Sequence, residues 1–286
     1  MIELMPQMAV RVDAATGVEH RIEYVPTPRG NLYVYTSRPP EARACVLLCS
    51  SIFGDFTANY HRERLLGQAI SSNGYGVIRF HYAGEGNSQG DRQKMSFGSL
   101  CDDARAVMDH GSSSGFNRFA LLGTRIGALV AAAVISSTPS APLALWEPVA
   151  DPLGFVGDAQ RAKRMSQMTQ AKDAHSSQWR TELEEKGVID LLGYDLYPEL
   201  VKSLEGLDLL DLLGPLTRPV FIARFRGGDV QKDDLAEALA SRGFSVDTAR
   251  FGLAESWWFE AQSTLDSNDL YGTTTAWLST ALGEAK

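Results

Sequence analysis

The chain has 286 residues, of which 44% are hydrophobic and 22% are charged, and its formal net charge is −8. These values are typical of a globular protein and exclude a disordered chain, while the negative charge without any Lys/Arg-rich run argues against nucleic-acid binding. No stretch approaches about 18 uninterrupted apolar residues and no secretory signal is recognisable, so we expect a cytoplasmic protein without membrane insertion.

Strands and helices alternate through the first half of the chain. Residues 20–37 alternate in hydropathy around the turn PTPRGN, which predicts a β-hairpin. The elements predicted after it are strands at 44–50, 75–82, 117–123 and 141–149 and helices at 60–74, 96–111 and 126–137. Because these strands are almost continuously apolar, they predict a parallel sheet that is covered on both faces.

The regular alternation stops between about 151 and 212, where the sequence becomes polar and helical. Strands are predicted again at 218–227 and 244–251, with helices at 232–243 and 272–285. We therefore expect an α/β core in two parts, 1–150 and 213–286, with a helical cap inserted at 151–212. If the cap covers a pocket, the flexible side chains of Met165 and Met168 would line an apolar tunnel for the substrate.

The segment GTRIG at 123–127 follows a predicted strand and precedes an alanine-rich helix. This is the layout of the nucleophile elbow of α/β-hydrolases, in which the central residue is serine. Here the central residue is Arg125, which stays protonated and can neither attack a carbonyl nor accept a proton. The fold class predicted from the order of elements is thus the α/β-hydrolase fold, a mostly parallel twisted sheet with an N-terminal β-hairpin and a helical cap.

The other two positions of a catalytic triad are an acid and a histidine, each after one of the last strands of the sheet. In this fold an acid follows the next-to-last strand, where Asp229 lies, and a histidine follows the last strand, where Glu255 lies instead. None of the histidines follows the cap; they are His20, His61, His81, His110 and His175. Two of the three triad residues are missing, so the sequence argues strongly against a serine esterase.

Other parts of an α/β-hydrolase site are present. The segment CSSIFGD at 49–55 is where the fold places its first oxyanion donor, from the backbone of Ile52 or Phe53, and Ile126 would supply the second. His81, after the fourth predicted strand, is either a site acid or base or a hydrogen-bonded loop residue. The remaining candidates for a substrate pocket, each with packing as its alternative, are Tyr60, Glu147, Trp257 and Trp258.

Several motifs together resemble one group of hydrolase-like proteins. They are the elbow GTRIGALVAA, the segments LWEPVADPLGFV and GYDLYPELVKSLEGLDLLD, and AESWW near the C-terminus. On these motifs the chain resembles the exosortase A system-associated hydrolases of type 2, which carry arginine at the elbow. The resemblance implies an α/β-hydrolase fold and a genomic association with envelope polysaccharide genes.

Arg125 needs an anionic partner, because a cation at the start of a helix opposes the helix dipole. Glu147, Asp229 and Glu255 are the carboxylates that the fold would bring to the same edge. One hypothesis is a bidentate Arg125–Glu255 pair; a second is that Arg125 binds an anionic group of a ligand. A third is that Arg125 only fills a dead site, and Asp229 only caps a turn.

Two classes of function remain open. The first is a biosynthetic enzyme without an acyl-enzyme intermediate, such as an isomerase, epimerase, cyclase, lyase or water-activating hydrolase, acting on an anionic acyl or peptidyl substrate. The second is a pseudohydrolase that binds a ligand or acts as a scaffold. No cofactor or metal is predicted, since Cys45, Cys49 and Cys101 lack metal-ligand spacing and are expected to be buried thiols. The partner is a small-molecule, acyl or peptidyl ligand, and a homodimer is left open.

Overall fold

The computed structural model describes residues 9–136, 138, 140–149, 151–157, 159, 178–215, 217–226, 234–253 and 268–284. The strands before the elbow are β1 (Ala9–Val12), β2 (Glu19–Thr27), β3 (Gly30–Arg38), β4 (Ala44–Cys49), β5 (Gly76–Phe80) and β6 (Arg118–Thr124). The helices between them are α1 (Phe53–Ser72) and α2 (Phe97–Ser113), and α3 (Gly127–Ile135) follows the elbow. Each element that the sequence predicted in this half is present, and β1 is an additional strand.

The alternation of strands and helices continues in the second half, with a stretch of short elements between its first two longer strands. This half contains β7 (Leu143–Trp146), β10 (Pro219–Arg226), α8 (Asp234–Ser241), β11 (Ser245–Leu253) and α9 (Asn268–Leu282). The elements between β7 and β10 are a helical segment at 152–157, here α4, and then α5 (Gln178–Lys186), β8 (Ile189–Asp190), β9 (Asp195–Leu196), α6 (Pro198–Leu204) and α7 (Leu209–Leu212). Strands β8 and β9 pair with each other and were not predicted.

The described strands other than β8 and β9 form one sheet in the order β1-β2-β3-β5-β4-β6-β7-β10-β11. The pairs from β5 to β11 are parallel, whereas β1, β2 and β3 are joined in antiparallel pairs and β3 is antiparallel to β5. The fold is therefore the predicted one, a mostly parallel sheet with an N-terminal hairpin at its edge.

Strand β4 shows how the sheet is buried on both faces. Cys45, Leu47 and Cys49 point into the core that α2 and α3 cover, while Val46 and Leu48 point into the core that α1 and α9 cover. All five are fully buried. A strand with core on both faces has to be apolar at every position, which is why its sequence shows no alternation.

The chain order places a crevice at the carboxyl ends of β4 and β6. From β4 the chain passes to β5 on one side and then returns to β6 on the other side. At such a switch point the loops after the two strands diverge, and ligands of open α/β sheets bind in the crevice between them. The loop after β4 contains residues 50–52, and the loop after β6 contains Arg125.

Candidate functional site

Arg125 occupies the elbow between β6 and α3 with a backbone φ of 56°. Its N–H donates to the carbonyl oxygen of Trp146 at 2.9 Å, which ties the turn to the end of β7. A positive φ is uncommon for a residue that carries a side chain and costs of order 1 kcal/mol or more. The chain thus keeps the strained backbone of a nucleophile elbow, although the residue there is not a nucleophile.

The glycines on either side of Arg125 allow the close approach that the turn needs. A Cβ atom on Gly127 would lie 2.1 Å from the carbonyl oxygen of Cys49, and one on Gly123 would lie 2.4 Å from the Cα of Ala128. Both obstacles are backbone atoms that cannot rotate away. The requirement for small flanking residues, inferred from the sequence, therefore has a direct steric cause.

The guanidinium of Arg125 forms an ion pair with Asp55 in the first turn of α1. The Nε atom lies 3.1 Å from Oδ2, and the two residues are 5% and 4% exposed. The hydroxyl of Ser51 donates to the same carboxylate at 3.4 Å. Burial raises the pKa of Asp55, and the charge and hydrogen bond of Arg125 oppose that rise without cancelling it. The ring centroid of Phe155 lies 6.0 Å from the Cζ of Arg125.

Asp55 was not among the residues singled out from the sequence. The prediction started the helix at residue 60, whereas α1 starts at Phe53. The early start has no sequence signal, because the N-cap residue Ile52 has no side-chain hydrogen bond to the first turn. A helix predicted to start at Phe53 would have placed Asp55 in its first turn, where a carboxylate interacts favourably with the helix dipole.

The three candidate oxyanion donors lie at this crevice. Ile52 and Phe53 begin α1, Ile126 is the N-cap residue of α3, and all three are buried. Phe53 has a φ of 58°, a second strained position beside the elbow. Burial raises the pKa of the nearby Glu85, and the charge of Arg92 and then the N–H of Phe53 oppose that rise without cancelling it.

His81 and Tyr60 lie together, on the far side of β4 from Arg125. The ring centroids are 5.8 Å apart, and Nδ1 of His81 accepts a hydrogen bond from the N–H of Asn87 at 2.9 Å. Burial, assisted by the charge of Arg79, lowers the pKa of His81 to about 4. Since β4 separates β5 from β6, His81 and the elbow are roughly 10 Å apart. His81 is therefore a neutral side chain in an aromatic environment.

Glu147 follows β7 with a backbone φ of 43° and is hydrogen-bonded to the neighbouring strand β10. Its N–H donates to the carbonyl oxygen of Ala223, and its Oε2 accepts the N–H of Phe225 at 2.8 Å. The guanidinium of Arg224 lies 3.9 Å from Oε1. These contacts fasten β7 to β10, so Glu147 has a structural task that the sequence did not indicate.

Six predicted site residues lie outside the described part of the chain. They are Asp229, Glu255, Trp257, Trp258, Met165 and Met168. The Arg125–Glu255 pair accordingly stays a prediction, as does the tunnel formed by the two methionines. Within the described residues, no group of three or more His, Cys, Asp or Glu side chains is arranged to hold a metal ion. The three cysteines are free and buried, as predicted.

Glu63 of α1 is a second buried carboxyl group near the loop after β4. The hydroxyl of Ser50 donates to its Oε2 at 2.5 Å, and its Oε1 has no hydrogen-bond partner in the described part of the chain. Burial raises the pKa of Glu63, and the charge of Arg79 opposes this without cancelling it. The folded protein therefore binds a proton at Glu63 at pH values where the unfolded chain has already lost it.

This pKa shift predicts a pH dependence of stability. Because the folded-state pKa lies above the unfolded value, the free energy of unfolding should fall as pH rises from about 4.5 through the folded-state pKa. Glu63→Gln keeps an acceptor for Ser50 and should flatten this slope by up to about 1.4 kcal/mol per pH unit. Urea unfolding at a series of pH values measures it. The exposed Glu199→Gln on α6 is the control, and equal slopes for wild type and Glu63→Gln would contradict the prediction.

Comparisons with known proteins identify the fold. No family model and no curated protein matches the chain. Among solved structures, an esterase from Pyrococcus furiosus is similar with a TM-score of 0.63 and 13% identity, over 94% of this chain and 93% of that one. A proline iminopeptidase from Mycobacterium smegmatis gives a TM-score of 0.59 and 14% identity, over 91% of this chain and 98% of that one.

A mouse protein, α/β-hydrolase domain-containing protein 10, is also similar, with a TM-score of 0.58 and 15% identity over 91% of this chain and 98% of its own. Similarity at this identity shows the fold and leaves the chemistry open. The chain therefore has the α/β-hydrolase fold, as predicted, and its structural neighbours include esterases and other hydrolases. No helix of the described residues has the length and apolar character needed to cross a membrane.

Proposed function

We propose that this chain is an atypical α/β-hydrolase-fold protein that acts without an acyl-serine intermediate, and that Arg125 and Asp55 are the centre of its site. The observation that carries the proposal is the buried ion pair at the elbow, with Nε and Oδ2 3.1 Å apart. The site takes an anionic acyl or peptidyl substrate, and its reaction is a proton transfer of the kind that isomerases, epimerases and lyases perform.

The strained elbow supports an active role for Arg125 over a filler role. A side chain that only filled a former site would gain nothing from a φ of 56°, and relaxation of the backbone would remove that strain. Gly123 and Gly127 keep the turn in place on both sides. The elbow thus presents the guanidinium where the fold otherwise presents a nucleophile, above the carboxyl ends of β4 and β6.

The charges of the pair suit the binding of an anion followed by proton transfer. A fixed guanidinium in a buried site stabilises a carboxylate, enolate or thioester oxygen more strongly than water does. Asp55, whose pKa is raised by burial, holds its proton at higher pH than an exposed aspartate does, which suits a group that accepts and returns a proton. When a substrate anion joins the pair, two negative charges share one cation, which favours protonation of Asp55.

The alternative is a pseudohydrolase that binds a ligand or serves as a scaffold. Its supporting observation is that Asp55 already balances the charge of Arg125 inside the protein. Turnover distinguishes the two functions, since a binding protein returns its ligand unchanged. The sequence resemblance to exosortase A system-associated hydrolases is compatible with both functions.

The absence of acyl-serine chemistry has a direct test. We expect no hydrolysis of p-nitrophenyl acetate above the buffer rate and no labelling by a fluorophosphonate probe, with an active serine esterase as the positive control. The hydroxyls closest to the oxyanion loop, those of Ser50 and Ser51, donate to Glu63 and Asp55. Labelling that disappears in Ser50→Ala or Ser51→Ala would overturn the proposal.

A further inference from the structure

A groove of about 750 Å³ separates helix α1 from the N-terminal part of the sheet. This volume lies within the roughly 300–1,000 Å³ range of small-molecule sites. The groove is on the side of β5 and β3, away from Arg125, which does not line it. It is therefore a cavity that the proposed function does not use.

The register of the sheet places three side chains of the groove in one row. Ile22 of β2 pairs with Tyr35 of β3, and Tyr35 pairs with Arg79 of β5. Tyr33 and Ser37 lie two positions away from Tyr35 on β3 and so share its face. The floor of the groove is therefore a sheet surface with aromatic rings, hydroxyl groups and one cation, and His20 and the carboxylate of Asp13 also line the groove.

Helix α1 supplies the opposite wall through one stripe of its surface. Tyr60, Arg64, Gly67 and Ser71 are spaced by three or four residues, so they lie on the same helical face. Gly67 and Ser71 are small and let the helix approach the sheet: a Cβ on Gly67 would lie 3.4 Å from Cγ1 of Val77, and the hydroxyls of Ser71 and Ser37 are 2.8 Å apart. Arg64 is partly exposed and adds a second cation to the groove.

Arg79 is the residue that indicates a ligand. It is only 8% exposed, and its described contacts are the carbonyl oxygen of Tyr60 at 3.1 Å and the Tyr60 ring at 4.6 Å from its Cζ. Its Nε has no hydrogen-bond partner, and no carboxylate of the described residues lies within 4 Å of its guanidinium. The buried carboxyl group of Glu63 interacts electrostatically with Arg79 but lies beyond 4 Å, so an anion that bonds the guanidinium directly would add stabilisation.

Arg79 also borders a second, smaller void of about 10 Å³ behind the groove. Tyr33, Tyr35, Tyr60 and Arg79 line both spaces. The smaller void has room for a single water molecule at most. A ligand must therefore occupy the groove itself, with its charged end at Arg79.

We propose that the groove between α1 and the β2–β3 hairpin is a binding site for an aromatic carboxylate. The carboxylate accepts hydrogen bonds from the guanidinium of Arg79, with Arg64 adding a favourable charge at the rim. The planar ring of the ligand packs between Tyr35 and Tyr60, which are otherwise partly exposed. This site is distinct from the elbow and is independent of the chemistry proposed there.

The experiment uses 4-hydroxybenzoate as the probe and calorimetric titration of the full chain as the measurement. We expect saturable binding of 4-hydroxybenzoate by the wild type. The wild type should bind the neutral analogue 4-hydroxybenzamide at least about tenfold more weakly, and Arg79→Met should bind 4-hydroxybenzoate at least about tenfold more weakly. Arg64→Met, at the rim, should weaken binding by about threefold or more. Arg21→Met on β2, a residue that does not line the groove, is the matched control and should bind as wild type does.

Three results would each overturn the proposal that the groove binds an aromatic carboxylate. They are no binding by the wild type up to about 10 mM, equal affinity for the acid and the amide, and unchanged affinity in both Arg79→Met and Arg64→Met. If Arg79→Met fails to fold, the affinity of Arg64→Met for 4-hydroxybenzoate and the affinity of the wild type for 4-hydroxybenzamide still test the proposal. Loss of 4-hydroxybenzoate binding in Arg125→Met would assign the ligand to the elbow and would likewise remove this proposal.

Discussion

Asp55→Asn is expected to lower the free energy of unfolding by about 3–5 kcal/mol. The substitution keeps the size of the side chain but removes the negative charge, and Arg125, which is 5% exposed, keeps its positive charge at any ordinary pH. A buried cation that loses this carboxylate has no way to become neutral. Urea unfolding at neutral pH measures the change, with Asp102→Asn as the control because its ion pair with Arg105 is exposed.

The partner substitution should cost less. In Arg125→Met the remaining Asp55 can take up a proton, and its pKa is already raised by burial. The double variant Arg125→Met with Asp55→Asn leaves neither charge of the pair and should recover much of the stability lost in Asp55→Asn. A double-mutant cycle with no coupling between the two positions would contradict the assignment of the pair as a buried ion pair.

Arg125→Met is also expected to weaken the binding of an anionic acyl ligand by about 2–5 kcal/mol, which corresponds to roughly 30-fold to several-thousand-fold in Kd. The ligand loses the guanidinium that faces its charge, and the hydrophobic replacement has no hydrogen bond to offer. Arg125→Lys should rescue only part of the affinity, because the ammonium group lacks the planar fork of a guanidinium.

The measurement is calorimetric titration with octanoate and with any ligand that native mass spectrometry finds in the purified protein. Octanamide, which has the same chain without the charge, is the matched control. Equal affinities for octanoate in wild type, Arg125→Met and Arg125→Lys would remove Arg125 as the anion anchor. Proton uptake on binding, seen as a dependence of the heat on buffer ionisation, is expected if Asp55 becomes protonated.

The order of the helices and strands could be predicted from the sequence because it depends on local patterns. Apolar runs predicted the buried strands, and Ser96 with Ser99 forms the capping box that marks the start of α2. The start of α1 was predicted seven residues late, since Ile52 provides no cap. Strand β1 was missed because its residues are exposed and have no burial pattern to read.

The site could be predicted only where it depends on neighbours in the chain. Gly123, Arg125 and Gly127 are contiguous with β6 and α3, so their spacing identified the elbow and the missing serine. The partner of Arg125 could not be found in the same way. Asp55 lies 70 residues away, and the pair exists because β4 and β6 are adjacent in the sheet. The spacing of residues along the chain does not show that β4 and β6 are neighbours in the sheet.

The sequence by itself thus determined the α/β-hydrolase architecture, the arginine at the elbow and the lack of any histidine after residue 175. The tertiary structure decided which charges meet. Ion pairs and cavities form between elements that the sheet order brings together, as with Arg125 and Asp55 at the crevice and Arg79 and Tyr60 at the groove. The physical reason is that burial and Coulomb energy depend on distance in space, which local periodicity does not encode.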